Sequence, residues 1–326
     1  MTAALAAPDS FKGSLTAEEV AGAMATGLAD ADLGFAVREL PLADGGEGTA
    51  AVLLATLGGE WVEAPAHDPV GRPITATYAR LADGRAAVDA AAASGLTLLS
   101  GHELDPLGAS TRGTGELVAH ALRAGASEVL VAAGGSATTD GGTGAVDALR
   151  QEGFERAPLT VICDASTPWE RAAEVFSPQK GADTEQVASL VRRLDRLAAE
   201  APRDPRGVPS SGAAGGLAGG LWAWFDATLA PGAAFVCDQA GFDRALEGVS
   251  LCLTGEGRLD ATTAEGKLVA EVARRAAVHG VPCYAVVGEC ALGAAEVEAL
   301  GLTGAREAGD PDSIRAASRQ LAEVVA

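Results

Sequence analysis

Short apolar runs, each closing on a Gly, Pro or Asp turn signal, alternate along this chain with stretches whose apolar residues recur every three or four positions. That alternation predicts α/β structure with parallel strands joined by helical crossovers. Thr2 to Ala7 reads as a strand that stops at Pro8. Thr16 opens a helix with a capping box to Glu19, and Val20, Met24 and Leu28 fall on one face. Phe35 to Leu40 reads as the next strand, followed by a Gly-rich turn and a helix over Thr49 to Leu57. From Trp61 to Val88 the period changes to strict alternation, as in Ile74-Thr75-Ala76-Thr77-Tyr78, with a hairpin signal at Asp83-Gly84, so antiparallel strands are expected there.

Further on, the patterns predict helices over Glu116 to Ala124, Glu185 to Ala201, Lys267 to His279 and Ser313 to Val325. They predict strands over Val129 to Ala132, Leu159 to Cys163, Leu251 to Leu253 and Cys283 to Val287. Pro202 to Gly212, rich in Pro, Arg and Ser, is the best loop or linker. No internal repeat interrupts this order.

With 326 residues the chain is long enough for about two domains. Hydrophobic residues make up 48% and aromatics only 4%, so the core must be built mainly from Ala, Val and Leu. A formal charge of −20 argues against nucleic-acid or anionic-membrane partners, while leaving room for a local cationic pocket. No apolar run is long enough to span a membrane and no signal-peptide pattern opens the chain, so a cytoplasmic protein is expected. The five cysteines lack a CxxC pair, and four lie in apolar stretches, which predicts buried free thiols. The four histidines are scattered, without metal-ligand spacing.

Only three of the 24 basic residues are lysines, namely Lys12, Lys180 and Lys267, and each stands beside a glycine. In a chain that otherwise writes Arg, a surviving Lys points to a site that wants a compact ammonium. Several predicted strand ends also lead into loops bearing Gly and Asp, where loop amides and helix N-termini of an open α/β sheet meet a ligand. These are Pro8 to Ser14, Asp44 to Thr49, Gly134 to Gly142, and Thr254 to Asp260. Glycines let the backbone approach an anion, and the carboxylates beside them can hold Mg²⁺ or take a hydroxyl proton. One such loop is ordinary turn chemistry; four in one chain point to an anion-handling enzyme. The usual nucleotide fingerprints are absent. Gly266-Lys267 is followed by Leu268, with Ala261 where a P-loop would open, and Gly255-Glu256-Gly257 does not continue into a dinucleotide-binding helix.

These loops resemble the bacterial type I glycerate kinases. The resemblance starts at Ala7-Pro8-Asp9-Ser10-Phe11-Lys12-Gly13-Ser14-Leu15 and runs through Ala43 to Thr49, Ala92 to Leu96, Gly113 to Leu117 and Gly134 to Gly142. It continues through Pro178 to Ala182, Gly212 to Gly216, Thr254 to Asp260 and Gly266-Lys267, in family order and over about four fifths of the chain. It implies ATP- and Mg²⁺-dependent phosphorylation of D-glycerate, commonly to 2-phosphoglycerate. It also implies a flavodoxin-like parallel-sheet domain made from both termini, here 1–60 and 248–326, with a second α/β domain inserted over 61–247 and the active site in the cleft. Thr139 stands where the family motif carries Asn, and Cys163-Asp164-Ala165-Ser166-Thr167-Pro168 replaces another Asn-bearing segment. The stretch from Gly142 to Cys163 is shorter than usual, and Ser177 replaces a Gly.

Phosphoryl transfer needs positioning and charge neutralisation more than covalent chemistry. Lys12 and Lys180 are therefore expected to neutralise phosphate or the glycerate carboxylate, with Gly134, Gly135 and Ser136 as further donors. Ser10, Ser94, Glu256, Arg258 and Lys267 complete the expected substrate and phosphate set, with Glu256, Arg258 and Asp260 equally readable as an internal ion pair. Asp44 and Glu47 are the candidates for Mg²⁺, although Asp44 could instead cap the helix at Thr49. Asp140 is the first choice for the base and Asp9 the second. The partners expected are ATP and D-glycerate, with a homo-oligomer left open. Rival readings are a kinase for a related short-chain sugar acid, a non-catalytic ligand-binding relative and, more weakly, a nicotinamide-linked reductase.

Overall fold

The computed structural model describes residues 3–265 and 267–325, so Thr2 of the first expected strand and Gly266 of the last motif lie outside the described residues. The chain divides into two compact units, one of residues 1–44 with 233–326 and one of residues 45–232. The boundaries expected at 60 and 248 differ from these. Helix Thr49–Leu57 belongs to the second unit because its first amides, Gly48 and Ala50 N–H, donate to the Asp89 carboxylate at 2.8 and 2.9 Å.

The first unit is built on five parallel strands in the spatial order Ala36–Glu39, Ala3–Ala6, Val249–Thr254, Cys283–Val287, Gly304–Glu307. Counted within the unit this is 2-1-3-4-5, the flavodoxin-like order, with its switch point at the first strand. Ala3–Ala6 is buried at every position, as a central parallel strand covered on both faces must be. Helix Ala17–Asp30 carries the expected capping box: Glu19 N–H donates to Thr16 Oγ1 at 3.2 Å, and Thr16 N–H to Glu19 Oε2 at 2.8 Å. Its buried Val20, Met24 and Leu28 pack with Leu251, Leu253, Val286 and Ile314.

The second unit holds a six-stranded sheet in sequence order. Gly59–His67, Pro73–Leu81 and Ala86–Asp89 pair antiparallel, as the alternation from Trp61 to Val88 predicts. Val129–Ala132, Leu159–Cys163 and Thr228–Pro231 then continue in parallel. Helix Arg112–Arg123 begins four residues before the expected Glu116. Its first turn contains Gly113 and Gly115 because it is pressed against neighbours: a Cβ at Gly113 would overlap the His67 carbonyl, and one at Gly115 would lie 2.5 Å from Ala145 Cα. The segment from Pro202 to Gly212 is a loop inside this unit, not a linker between units; Ser211 Oγ accepts Trp169 N–H at 2.8 Å.

Cys163, Cys237, Cys252 and Cys283 are buried and Cys290 half-buried, all as free thiols. Among the described residues, no helix is long and apolar enough to cross a membrane.

Candidate active site

In the first unit, the strand ends converge as the flavodoxin-like order requires. The chain leaving Ala3–Ala6 is held to the neighbouring loop by Asp9 N–H donating to the Gly255 carbonyl at 2.8 Å. It then folds into a tight loop closed by reciprocal backbone hydrogen bonds between Phe11 and Leu15, at 2.8 and 3.0 Å. Phe11 is buried beneath this loop, and Gly13 takes φ +82°, a turn conformation only glycine adopts without strain. The loop is thus closed on itself, and Ser10 and Lys12 line the space beside it. A cavity of about 340 Å³ opens here, lined by Asp9, Ser10, Lys12, Asp44, Glu256 and Lys267 among others.

Three carboxylates and two ammonium groups thus share one pocket. Asp9 is only 4% exposed, and its carboxyl is held well above the usual aspartate range, first by burial and then by Asp44, against the opposing pull of Lys12. Its Oδ1 accepts Ser10 N–H at 2.6 Å and the Ser10 hydroxyl at 3.3 Å, while its Oδ2 accepts no hydrogen bond among the described residues. Asp44 accepts from Lys12 Nζ at 2.9 Å and does not cap the helix at Thr49; Asp89 supplies that cap from a distance. Burial pushes the Glu256 carboxyl up to about 7, moderated by a 2.7 Å hydrogen bond from the Thr263 hydroxyl and by Lys267. Arg258 stands at the pocket wall and pairs with Asp260 and Glu289, both at 3.4 Å, so the ion pair that was the alternative for this loop exists without Glu256.

The remaining candidates belong to the second unit. Lys180, 2% exposed, donates to Ser136 Oγ at 3.1 Å and to the Thr138 carbonyl at 2.5 Å. Burial lowers its ammonium to about 8, against the attraction of Asp164 and Asp140. Gly134 N–H donates to the Gly45 carbonyl, and a Cβ at Gly134 would meet Gly46 Cα at 2.6 Å, so glycine is required by close approach. Glu47 lies against the Gly135 turn. Ser94 is fully buried and bonded to Thr114 Oγ1 at 2.7 Å.

Asp140, the first choice for a base, is 1% exposed and has both oxygens engaged. Oδ2 accepts Thr111 N–H (2.9 Å), the Thr111 hydroxyl (2.8 Å) and Gly144 N–H (3.2 Å), and Oδ1 accepts Gly142 N–H at 2.9 Å. A carboxylate so loaded ties the start of helix Thr143–Gln151 to that of Arg112–Arg123. Beside it, the Thr138 and Thr139 hydroxyls are buried without a hydrogen-bond partner among the described residues. Thr139 is the position where the resembled motif carries Asn. Sequence reasoning missed Thr263 and Asp89, whose roles depend on partners 7 and 39 to 41 residues away and on no local motif.

The glycerate kinase family model matches residues 4–157 and 150–325, nearly the whole chain. The chain belongs to the glycerate kinase family. Glycerate kinase of Bacillus subtilis (strain 168) is 36% identical over 319 residues, covering 86% of this chain and 84% of that one. Glycerate 2-kinase of Escherichia coli (strain K12) is 34% identical over 319 residues, with the same coverage. A solved structure assigned provisionally as glycerate kinase 2, from Salmonella typhimurium LT2, superposes with a TM-score of 0.81 at 31% identity and covers 99% of this chain and 98% of its own. Membership in this family makes the chain a phosphotransferase with an alcohol acceptor, and the pocket of carboxylates and lysines has the chemistry such an enzyme requires.

Proposed function

We propose that this chain transfers the terminal phosphoryl group of ATP to D-glycerate, at the 2-hydroxyl, giving 2-phosphoglycerate. The observation that carries the reading is the first-unit pocket, where Asp9 presents an oxygen with no hydrogen-bond partner among the described residues, beside Lys12 and Lys267. Glycerate brings a carboxylate that needs a cation and a hydroxyl that must lose its proton. Lys12 and Lys267 supply the cations for carboxylate and phosphate. Asp9 takes the hydroxyl proton on Oδ2 as the alkoxide oxygen attacks the terminal phosphorus and ADP leaves with the electrons of the broken P–O bond. Its raised proton affinity suits the task, because a base works best when its pKa approaches the working pH. Glu256 accepts a hydrogen bond from the non-reacting hydroxyl. Asp140 is given the structural role its four donors favour.

Magnesium fits this pocket by its donor chemistry. Among the described residues, no group of three His, Cys, Asp or Glu forms an all-protein cage, and Mg²⁺ in kinases needs only one or two carboxylates with substrate phosphates. Asp44 is the residue that would hold it, because its charge already raises the proton affinity of Asp9 and a cation would relieve that repulsion. Held there with the nucleotide, such an ion would supply positive charge to offset the charge developing on the phosphate.

Thr139 gives a reason to test related acids, since its buried hydroxyl has no hydrogen-bond partner among the described residues. The purified chain is incubated with ATP, Mg²⁺ and D-glycerate or other short sugar acids, ADP release is followed, and the phosphate position is read by ³¹P NMR. D-glycerate should give the fastest turnover and a phosphate on the 2-oxygen. ADP release independent of any acid acceptor, or preference for another acid, would contradict the assignment.

A further inference from the structure

Glu256 follows strand Val249–Thr254 and lines the pocket of Asp9 and Lys12, its side chain held by one hydrogen bond among the described residues. That bond comes from Thr263, fully buried in the short 3₁₀ turn Ala261–Glu265. A threonine hydroxyl has one proton, and its direction here is fixed by the other bonds around it. Thr263 Oγ1 accepts Asp260 N–H at 3.2 Å, and Thr263 N–H donates to the Asp260 carbonyl at 2.9 Å. The loop is locked a second time by Asp260 Oδ1, which accepts Thr262 N–H and the Thr262 hydroxyl at 2.9 and 2.6 Å. With the Asp260 amide directed at a lone pair of Oγ1, the hydroxyl proton is left for Glu256 Oε1, 2.7 Å away. The β-branched side chain restricts χ1, so the donor is aimed before a substrate arrives.

We propose that Thr263 is a positioning residue, whose hydroxyl orients the Glu256 carboxylate toward the substrate in the first-unit pocket. This rests on the proposed role of Glu256 in glycerate binding. The charged groups acting on Glu256 are Lys267, Asp44 and Lys12, its own charge raises the proton affinity of Asp9, and Thr263 is the neutral donor among them. Because its hydrogen bond favours the ionised carboxylate, removing it leaves a buried acid that holds its proton to higher pH and rotates more freely.

The test compares Thr263→Val, which keeps the shape and removes the donor, with Thr263→Ser, which keeps the donor. The titration of Glu256, read by ¹³C NMR of the side-chain carboxyl and assigned through Glu256→Gln, should move upward by roughly one pH unit in the Val variant and stay in place in the Ser variant. The KM for glycerate should rise about tenfold in the Val variant with a smaller change in kcat, and return in the Ser variant. If Thr263→Val folds too poorly to titrate, Thr263→Cys, a weaker donor, should give a smaller upward shift. An unchanged titration in the donor-deficient variant, or a Ser variant that behaves like Val, overturns the proposal. The NMR titration needs no substrate, so it separates failure of the Thr263 role from failure of the glycerate reading.

Discussion

Asp9 and Asp140 are both buried aspartates on Gly-bearing loops, and the difference between them lies in who already occupies their oxygens. Each Asp140 oxygen accepts from backbone amides that begin helices, whereas Asp9 lines a cavity and its Oδ2 accepts no hydrogen bond among the described residues. With four donors already on its two oxygens, Asp140 is engaged in holding the fold and offers no free oxygen to a substrate hydroxyl. Asp140→Ala leaves two buried N–H groups, one half-buried N–H and one buried hydroxyl without that acceptor, and a buried orphan donor costs about 1–3 kcal/mol. The variant should therefore lose at least about 3 kcal/mol of stability, read as a lower denaturant midpoint. A midpoint equal to wild type would refute this structural role. The rarity of Lys marked all three lysines as site candidates, and two of them, Lys12 and Lys267, line the pocket. Thr263 gave no such mark, because nothing in Ala261-Thr262-Thr263-Ala264 separates a positioning hydroxyl from ordinary turn chemistry.

At the scale of elements, the strands and helices with a strong period were legible, and those without one were not. Ala3–Ala6 and Val249–Thr254 are buried nearly throughout and show as apolar runs. The strands Gly304–Glu307 and Thr228–Pro231 went unread because they are half-exposed sheet edges without such a run. Glycines inside Arg112–Arg123 hid its first turn, since their purpose is close packing and not a loop. Gly255 has a similar purpose at the end of Val249–Thr254: a Cβ there would overlap the Val286 carbonyl oxygen and crowd Met24 Cε at 3.0 Å. Gly255→Ala should push apart the two strand ends that carry Glu256 and Gly288. We expect a loss of about 1–3 kcal/mol in stability with a larger proportional loss of turnover, measured by denaturant unfolding and ADP release. An alanine variant with full turnover would show that this close approach does not position the pocket.

For the molecule as a whole, the flavodoxin-like strand order in the first unit brings the Asp9, Asp44 and Glu256 loops to one sheet edge, although they are up to 247 residues apart in sequence. Alternating patterns revealed the α/β class, and the ordered motifs revealed the family. Where the chain passes from one unit to the other was less legible, because helix Thr49–Leu57 is anchored by Asp89, a partner about 40 residues on. In the proposed reaction the chemical step falls in the first unit, on Asp9, and the equally buried Asp140 does only structural work. The most direct test is the steady-state turnover of Asp9→Asn with ATP and D-glycerate, at a temperature where its circular dichroism matches the wild type. Loss of a general base predicts that kcat falls about 10²- to 10⁴-fold. A kcat within a few-fold of wild type would show that Asp9 is not the base.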